Sequence, residues 1–163
     1  LITSFHEAFH SDLINPTGDT MNTTDNLDLI RARYDAVNAH DIDRFKSFYG
    51  GSIVWNDPGL AKAVRGPTAV GNRLKALTES FPDLQWKLGR IFSQGEDVCA
   101  EFTFTGTHKG ALKDPRTRTN LRASNRRVRI QAVGVYTVRD NRIVDSKIYF
   151  DFGTLISQLR ARK

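Results

Sequence analysis

A chain of 163 residues is long enough for one domain with a sizeable core, and it needs no disulfide or metal staple to hold that core together. With 39% hydrophobic and 26% charged residues, wholesale disorder is excluded as a reading. The net charge is +6, and Cys99 is the single cysteine, so neither an intramolecular disulfide nor a cysteine zinc cluster can form.

The charge is local. Lys109, Lys113, Arg116, Arg118, Arg122, Arg126, Arg127 and Arg129 are offset only by Asp114, which leaves the remainder of the chain near neutral. Residues 1–20 show no helical or strand period and lack the basic end and apolar stretch of a signal peptide. Met21 is the only methionine, so the fold is expected over residues 21–163, with 1–20 a leader or appended segment. His6 and His10 fall in that segment and are set aside. No apolar run is long enough to span a bilayer, and a lone cysteine suits a reducing cytoplasm.

The spacing predicts a helix over 24–39, because Leu27, Ile30, Tyr34 and Val37 form one apolar stripe. Thr24 is its expected N-cap. Asp41 caps a second short helix carrying Ile42, Phe45 and Phe48, which Gly50-Gly51 should end. Ser52–Trp55 reads as a short strand, followed by the turn signal Asn56-Asp57-Pro58-Gly59. A third helix opens at Pro67, buries Val70, Leu74, Leu77 and Phe81, and stops at Pro82.

Sheet follows. Leu84–Phe92 is a strand, and Gln94-Gly95-Glu96 turns the chain. Along Val98–Thr105 the residues Val98, Ala100, Phe102 and Phe104 share one face; Cys99, Glu101, Thr103 and Thr105 share the other. A polar loop runs from about 108 to 126. Arg127–Val138 and Arg142–Asp151 form a hairpin around Asp140-Asn141, and Leu155, Ile156 and Leu159 mark a terminal helix. Helices first and antiparallel strands afterwards imply an α+β fold whose curled sheet leaves a cavity at its open end.

The segments RARYDAVNAHDIDRFKSFYG, IVWNDPG, RGPTAVGNRLKALTESFPDLQWKL, EDVCAEFTFTGTHKG and RRVRIQAVGVYTVRDNRIVDSKIYFDFGTLISQL, in that order, resemble the SnoaL-like polyketide cyclase family of the nuclear transport factor 2-like superfamily. The resemblance covers roughly residues 24–160. It implies a cone-shaped domain, a deep apolar pocket, no metal or other cofactor, and acid–base chemistry on a hydrophobic substrate. Many relatives carry a histidine and an aspartate two residues apart in the last strand. Here the matching positions are Ser146 and Ile148, neither of which is an acid or base at neutral pH.

Asp57 is the first candidate acid or base. It lies where a strand ends and a turn re-aims the chain, with Trp55 two residues before it to supply apolar surroundings. The same residue also reads as an Asx-turn former. His108 is a second candidate, at the cavity mouth, against an exposed loop histidine. Tyr34 is a third: its hydroxyl either reaches a substrate carbonyl or is satisfied within the core. Tyr136 and Tyr149 pose the same question. Asp151 either approaches the pocket or caps the terminal helix. Phe81, Trp86, Phe102, Phe104 and Phe150 are pocket wall or plain core. His40 reads as structural and Glu101 as outward-facing.

The basic loop reads as a solvated excursion, a lid attracting an anionic substrate, or a nucleic-acid contact. It lacks the aromatics that stack on bases, so no nucleic-acid partner is expected. Two functions remain open. One is an enzyme that abstracts a proton beside a carbonyl through Asp57, helped by Tyr34 or His108. The other is a non-catalytic binder of a hydrophobic small molecule. The outward face with Cys99, Thr103, Thr105, Val133 and Val135 suggests a homodimer through the sheet. No membrane partner is expected.

Overall fold

The computed structural model describes residues 23–57, 62–114 and 119–160. The segment 1–20 and the Pro58-Gly59 half of the turn lie outside the described residues.

Helix α1 (Thr23–Asn38) buries Ile30, Tyr34 and Val37 as the stripe requires, together with Leu29, Arg33 and Ala36. Thr24 falls one residue inside the helix rather than at its cap. The chain reverses at His40, a residue with φ 55°. The His40 Nε2–H donates to the Leu84 carbonyl at 3.0 Å, so this histidine ties the turn to the next layer. Asp41 caps α2 (Ile42–Ser47), its Oδ1 accepting from the Arg44 N–H at 2.9 Å.

Gly50-Gly51 does not end that helix. The C-cap is Phe48, and both glycines lie within β1 (Tyr49–Asn56), which is longer than the expected Ser52–Trp55. Two contacts override the glycine signal. The Tyr49 ring packs edge-on against Phe45 at 5.1 Å, and the Ile143 N–H donates to the Phe48 carbonyl. Extended backbone from Tyr49 onward serves both.

After β2 (Val64–Arg65), α3 (Pro67–Ser80) opens at proline and buries Val70 and Leu74, with Leu77 partly buried. The long strands β3 (Gln85–Gln94) and β4 (Asp97–Thr107) follow. The 108–126 loop is not wholly irregular. Within it β5 (Leu112–Lys113) pairs β6 (Asn120–Leu121) in a small hairpin. Strands β7 (Arg127–Arg139) and β8 (Arg142–Phe150) turn at Asp140-Asn141, both at positive φ, as a tight two-residue hairpin needs. Helix α4 (Phe152–Arg160) closes the chain.

The main sheet has the order β2-β1-β8-β7-β4-β3. Only β1–β8 is parallel, so the sheet is mostly antiparallel and the first and last long strands lie side by side. Register shifts at Leu88/Ile91 and Thr137/Val138 bend the long strands, as bulges do. Alternation along β4 and β7 puts Val98, Ala100, Phe102, Phe104, Val128, Ile130, Tyr136 and Val138 on the concave, buried face. Helices cover that face and the cone remains open at one end.

Candidate functional site

A cavity of about 750 Å³ lies between the concave sheet face, α3 and α4. Trp55, Trp86, Phe102, Phe104, Ile130, Ile148 and Phe150 line it from the sheet, Leu74 and Leu77 from α3, and Phe152 and Leu155 from α4. Leu112, Lys113 and Asn120 of the β5–β6 hairpin complete the wall. Helix α1 does not line the cavity, because the aromatic side chains of β3 and β4 stand between. Tyr34 packs behind them, 5.3 Å from the Phe102 ring and 5.9 Å from the Trp86 ring.

Asp57 follows β1 directly and lies on the same side as Trp55, one pleat period further on, so it joins the cavity wall. Its side chain is only 4% exposed and is ion-paired with Arg73 of α3, itself 34% exposed. The pair places one carboxylate with its counter-charge on a wall that is largely apolar and also carries Lys62, Glu79 and Lys113. Burying a lone carboxylate there would be costly, and Arg73 offsets that cost.

The other two candidates for proton transfer are not at this wall. Tyr34 Oη lies 2.9 Å from Tyr136 Oη, and both rings are buried. Burial raises both phenol pKa values, so both remain neutral hydroxyls. Gly134 makes this pairing possible, since a Cβ there would overlap the Tyr136 hydroxyl.

His108 is neither at the cavity mouth nor exposed. It is fully buried at the root of the hairpin, its ring 5.3 Å from that of Phe81. The Ser124 N–H donates to its Nδ1 at 3.2 Å, which places the proton of the neutral ring on Nε2. Burial lowers its pKa, so the neutral form is favoured. Nearby, the Lys109 and Gly110 N–H groups donate to the Ser80 carbonyl, and Ser80 Oγ donates to the Ala111 carbonyl at 2.8 Å. Gly110 has no room for a Cβ against the Glu79 carbonyl. These bonds fasten the start of the hairpin to the end of α3; Lys113, Asn120 and Arg122 beyond them are exposed, and Arg116 and Arg118 lie outside the described residues.

Among the remaining candidates, Phe81 packs at right angles to Phe104 and supports the wall from behind. Tyr149 is 48% exposed on the opposite, convex face. Asp151 caps α4, accepting from the Gly153 N–H at 2.8 Å and the Thr154 hydroxyl at 2.6 Å. Ser146 and Ile148 both point inward from β8, Ile148 into the cavity and Ser146 deeper, opposite Trp55 and Tyr136. Glu101 is outward, 3.9 Å from Arg90.

Two residues were missed by the sequence reading. Arg73 completes the Asp57 pair. Arg33, on the buried face of α1, is fully enclosed by aromatic rings, with its Nε donating to Tyr49 Oη at 2.8 Å. Both stand at an i+3 position within an apolar stripe, after Val70 and Ile30 respectively. A charged residue there is the signal that identifies them.

The sequence matches the family described as SnoaL-like polyketide cyclase over residues 28–159. No curated protein matches it. Among solved structures, a protein assigned to the SnoaL-like polyketide cyclases from Jannaschia sp. CCS1 is 17% identical, with TM-score 0.76, over 89% of this chain and 98% of its own. TsrD from Streptomyces laurentii is 18% identical, with TM-score 0.74, over 87% and 99%. An epoxide hydrolase of the LEH-like type from M. tuberculosis is 23% identical, with TM-score 0.65, over 84% and 90%. At these identities the likeness establishes a shared fold.

Proposed function

The chain belongs to the SnoaL-like polyketide cyclase family, and from that premise we propose that it is an enzyme acting by acid–base chemistry on a hydrophobic carbonyl compound. The observation that carries this reading is the Asp57–Arg73 pair on the wall of a 750 Å³ apolar cavity. The Asp57 carboxylate takes a proton from the carbon beside the carbonyl, and the C–H electron pair moves onto the carbonyl oxygen as an enolate. Arg73 offsets the negative charge that develops. Return of a proton to another carbon gives isomerisation; attack of the enolate carbon on a second carbonyl closes a ring.

Tyr34 and His108 are not given the helper role, because neither lines the cavity. A second reading, a non-catalytic binder of the same ligand class, is favoured by Ser146 and Ile148. They stand where an acid–base pair was expected, and neither supplies one. Both readings need the cavity to take a ligand. A panel of hydrophobic ketones should raise the melting temperature of the wild type. Ala132→Leu, which adds bulk to the cavity wall, should abolish the shift. No shift with any ketone would end both readings.

A further inference from the structure

Arg33 is fully buried in a cage of aromatic rings. Its guanidinium carbon lies 5.0–6.0 Å from the ring centroids of Tyr34, Phe45, Tyr49, Trp55, Trp86 and Tyr136. Arginine keeps its charge at any physiological pH. Among the described residues no carboxylate pairs with it. Ring faces attract the cation, but they do not accept its in-plane N–H groups as an oxygen does.

Among the described residues Nη1 and Nη2 have no hydrogen-bond partner. Nor do Trp55 Nε1, Trp86 Nε1 and the Ser146 hydroxyl, all buried. Ser146 is the register partner of Trp55. One region therefore collects several unmatched donors around a positive charge. A buried donor without an acceptor is costly, and five such atoms in one region call for an acceptor that the described residues do not provide.

Arg33 does not line the cavity, but Trp55 and Trp86 do. The two indoles are thus the wall shared by cage and cavity. We propose that this cage is an anion subsite behind the indole wall of the cavity: an indole swings aside to admit the carboxylate head of an otherwise apolar ligand, which Arg33 then binds through its two Nη groups. The proposal rests on the cavity being a ligand site and adds what that ligand must carry. It also separates two roles by position. Asp57, one pleat period from Trp55, and its partner Arg73 of α3 face the body of the ligand, and Arg33 takes its acidic end.

The chain has two tryptophans, and both stand in the wall shared by cage and cavity, so tryptophan fluorescence reports ligand arrival at that wall. The test uses octanoate and octanamide, which differ in charge but little in size, followed by calorimetry and tryptophan fluorescence. Octanoate should bind at least about tenfold more tightly than octanamide, as expected for hydrogen bonds to a charged group, and should change the fluorescence. The preference should vanish in Arg33→Met. It should persist in Lys62→Ala/Lys113→Ala, which removes the exposed cations lining the cavity. Where Arg33→Met does not fold, loss of the preference in the double variant still overturns the proposal. Equal binding of acid and amide would overturn the anion subsite and leave the cavity reading standing. Loss of the preference with the two lysines would also overturn it, moving the anion to the rim. Binding of neither compound would remove the cavity reading for such ligands and this proposal with it.

Discussion

Asp57 and Arg73 meet as an ion pair across the cavity wall, the carboxylate from the end of β1 and the guanidinium from the second turn of α3. The pair makes two substitutions at Asp57 informative. Asp57→Asn keeps the shape and much of the hydrogen bonding. It should lower turnover about a hundredfold or more while leaving the fold and ligand affinity nearly unchanged. Asp57→Ala leaves Arg73 without this partner and should cost about 1 kcal/mol of stability, a modest figure because Arg73 is partly hydrated. Denaturant unfolding of both variants beside the wild type checks this.

The Tyr34–Tyr136 hydroxyl pair should be energetically coupled. Tyr34→Phe leaves the Tyr136 hydroxyl buried without its partner, and should cost about 1–3 kcal/mol. Tyr34→Phe/Tyr136→Phe should lose clearly less than the sum of the two single changes. Strict additivity in urea unfolding would mean that the 2.9 Å contact carries no net energy.

Stability should fall in mild acid through His108. Its folded-state pKa is lowered from the ordinary 6.5 by burial, so the unfolded chain binds more protons in that range. Stability is therefore fully present above pH 6.5 and is lost as pH falls from there through the folded-state value, by at most about 1.4 kcal/mol per pH unit for one group. Protonation also sets a donor against the Ser124 N–H. The difference in stability between wild type and His108→Gln should shrink over that window. A constant difference between pH 7.5 and 5 would remove His108 as the cause.

The convex sheet face joins Phe92, 54% exposed, to Cys99, Val135, Val133 and Tyr149 through adjacent register positions. We propose that two copies pair through it. Sedimentation at micromolar concentration should give a dimer mass, and Val135→Asp should give a monomer. A wild-type monomer would refute the pairing.

The fold was legible because its elements carry strong local signals: the α1 stripe, Pro67 opening α3, the alternation of β4, and the Asp140-Asn141 turn. Where local signals misled, long-range contacts decided. Gly50-Gly51 reads as a helix stop, but pairing with β8 and packing on Phe45 extend the strand through it. The site was half legible. Asp57 and the aromatic wall follow from the strand end and the alternating face. Arg33 and Arg73 do not, because a period argument assigns stripe positions to apolar residues and passes over a cation among them. Tyr34 and His108 looked available only because sequence cannot tell the first inward layer from the second.

The central claim is that Asp57 takes a proton from carbon inside this cavity. The direct measurement is hydrogen–deuterium exchange at the carbon beside the carbonyl of a bound hydrophobic ketone, such as tetralone, followed by NMR in deuterated buffer. Tetralone is small enough for a cavity of about 750 Å³. The wild type should accelerate exchange well above buffer, and Asp57→Asn should bind the ketone equally well yet lose about a hundredfold of that acceleration. Exchange no faster than buffer with the ketone bound, or an Asn variant as fast as wild type, would contradict it.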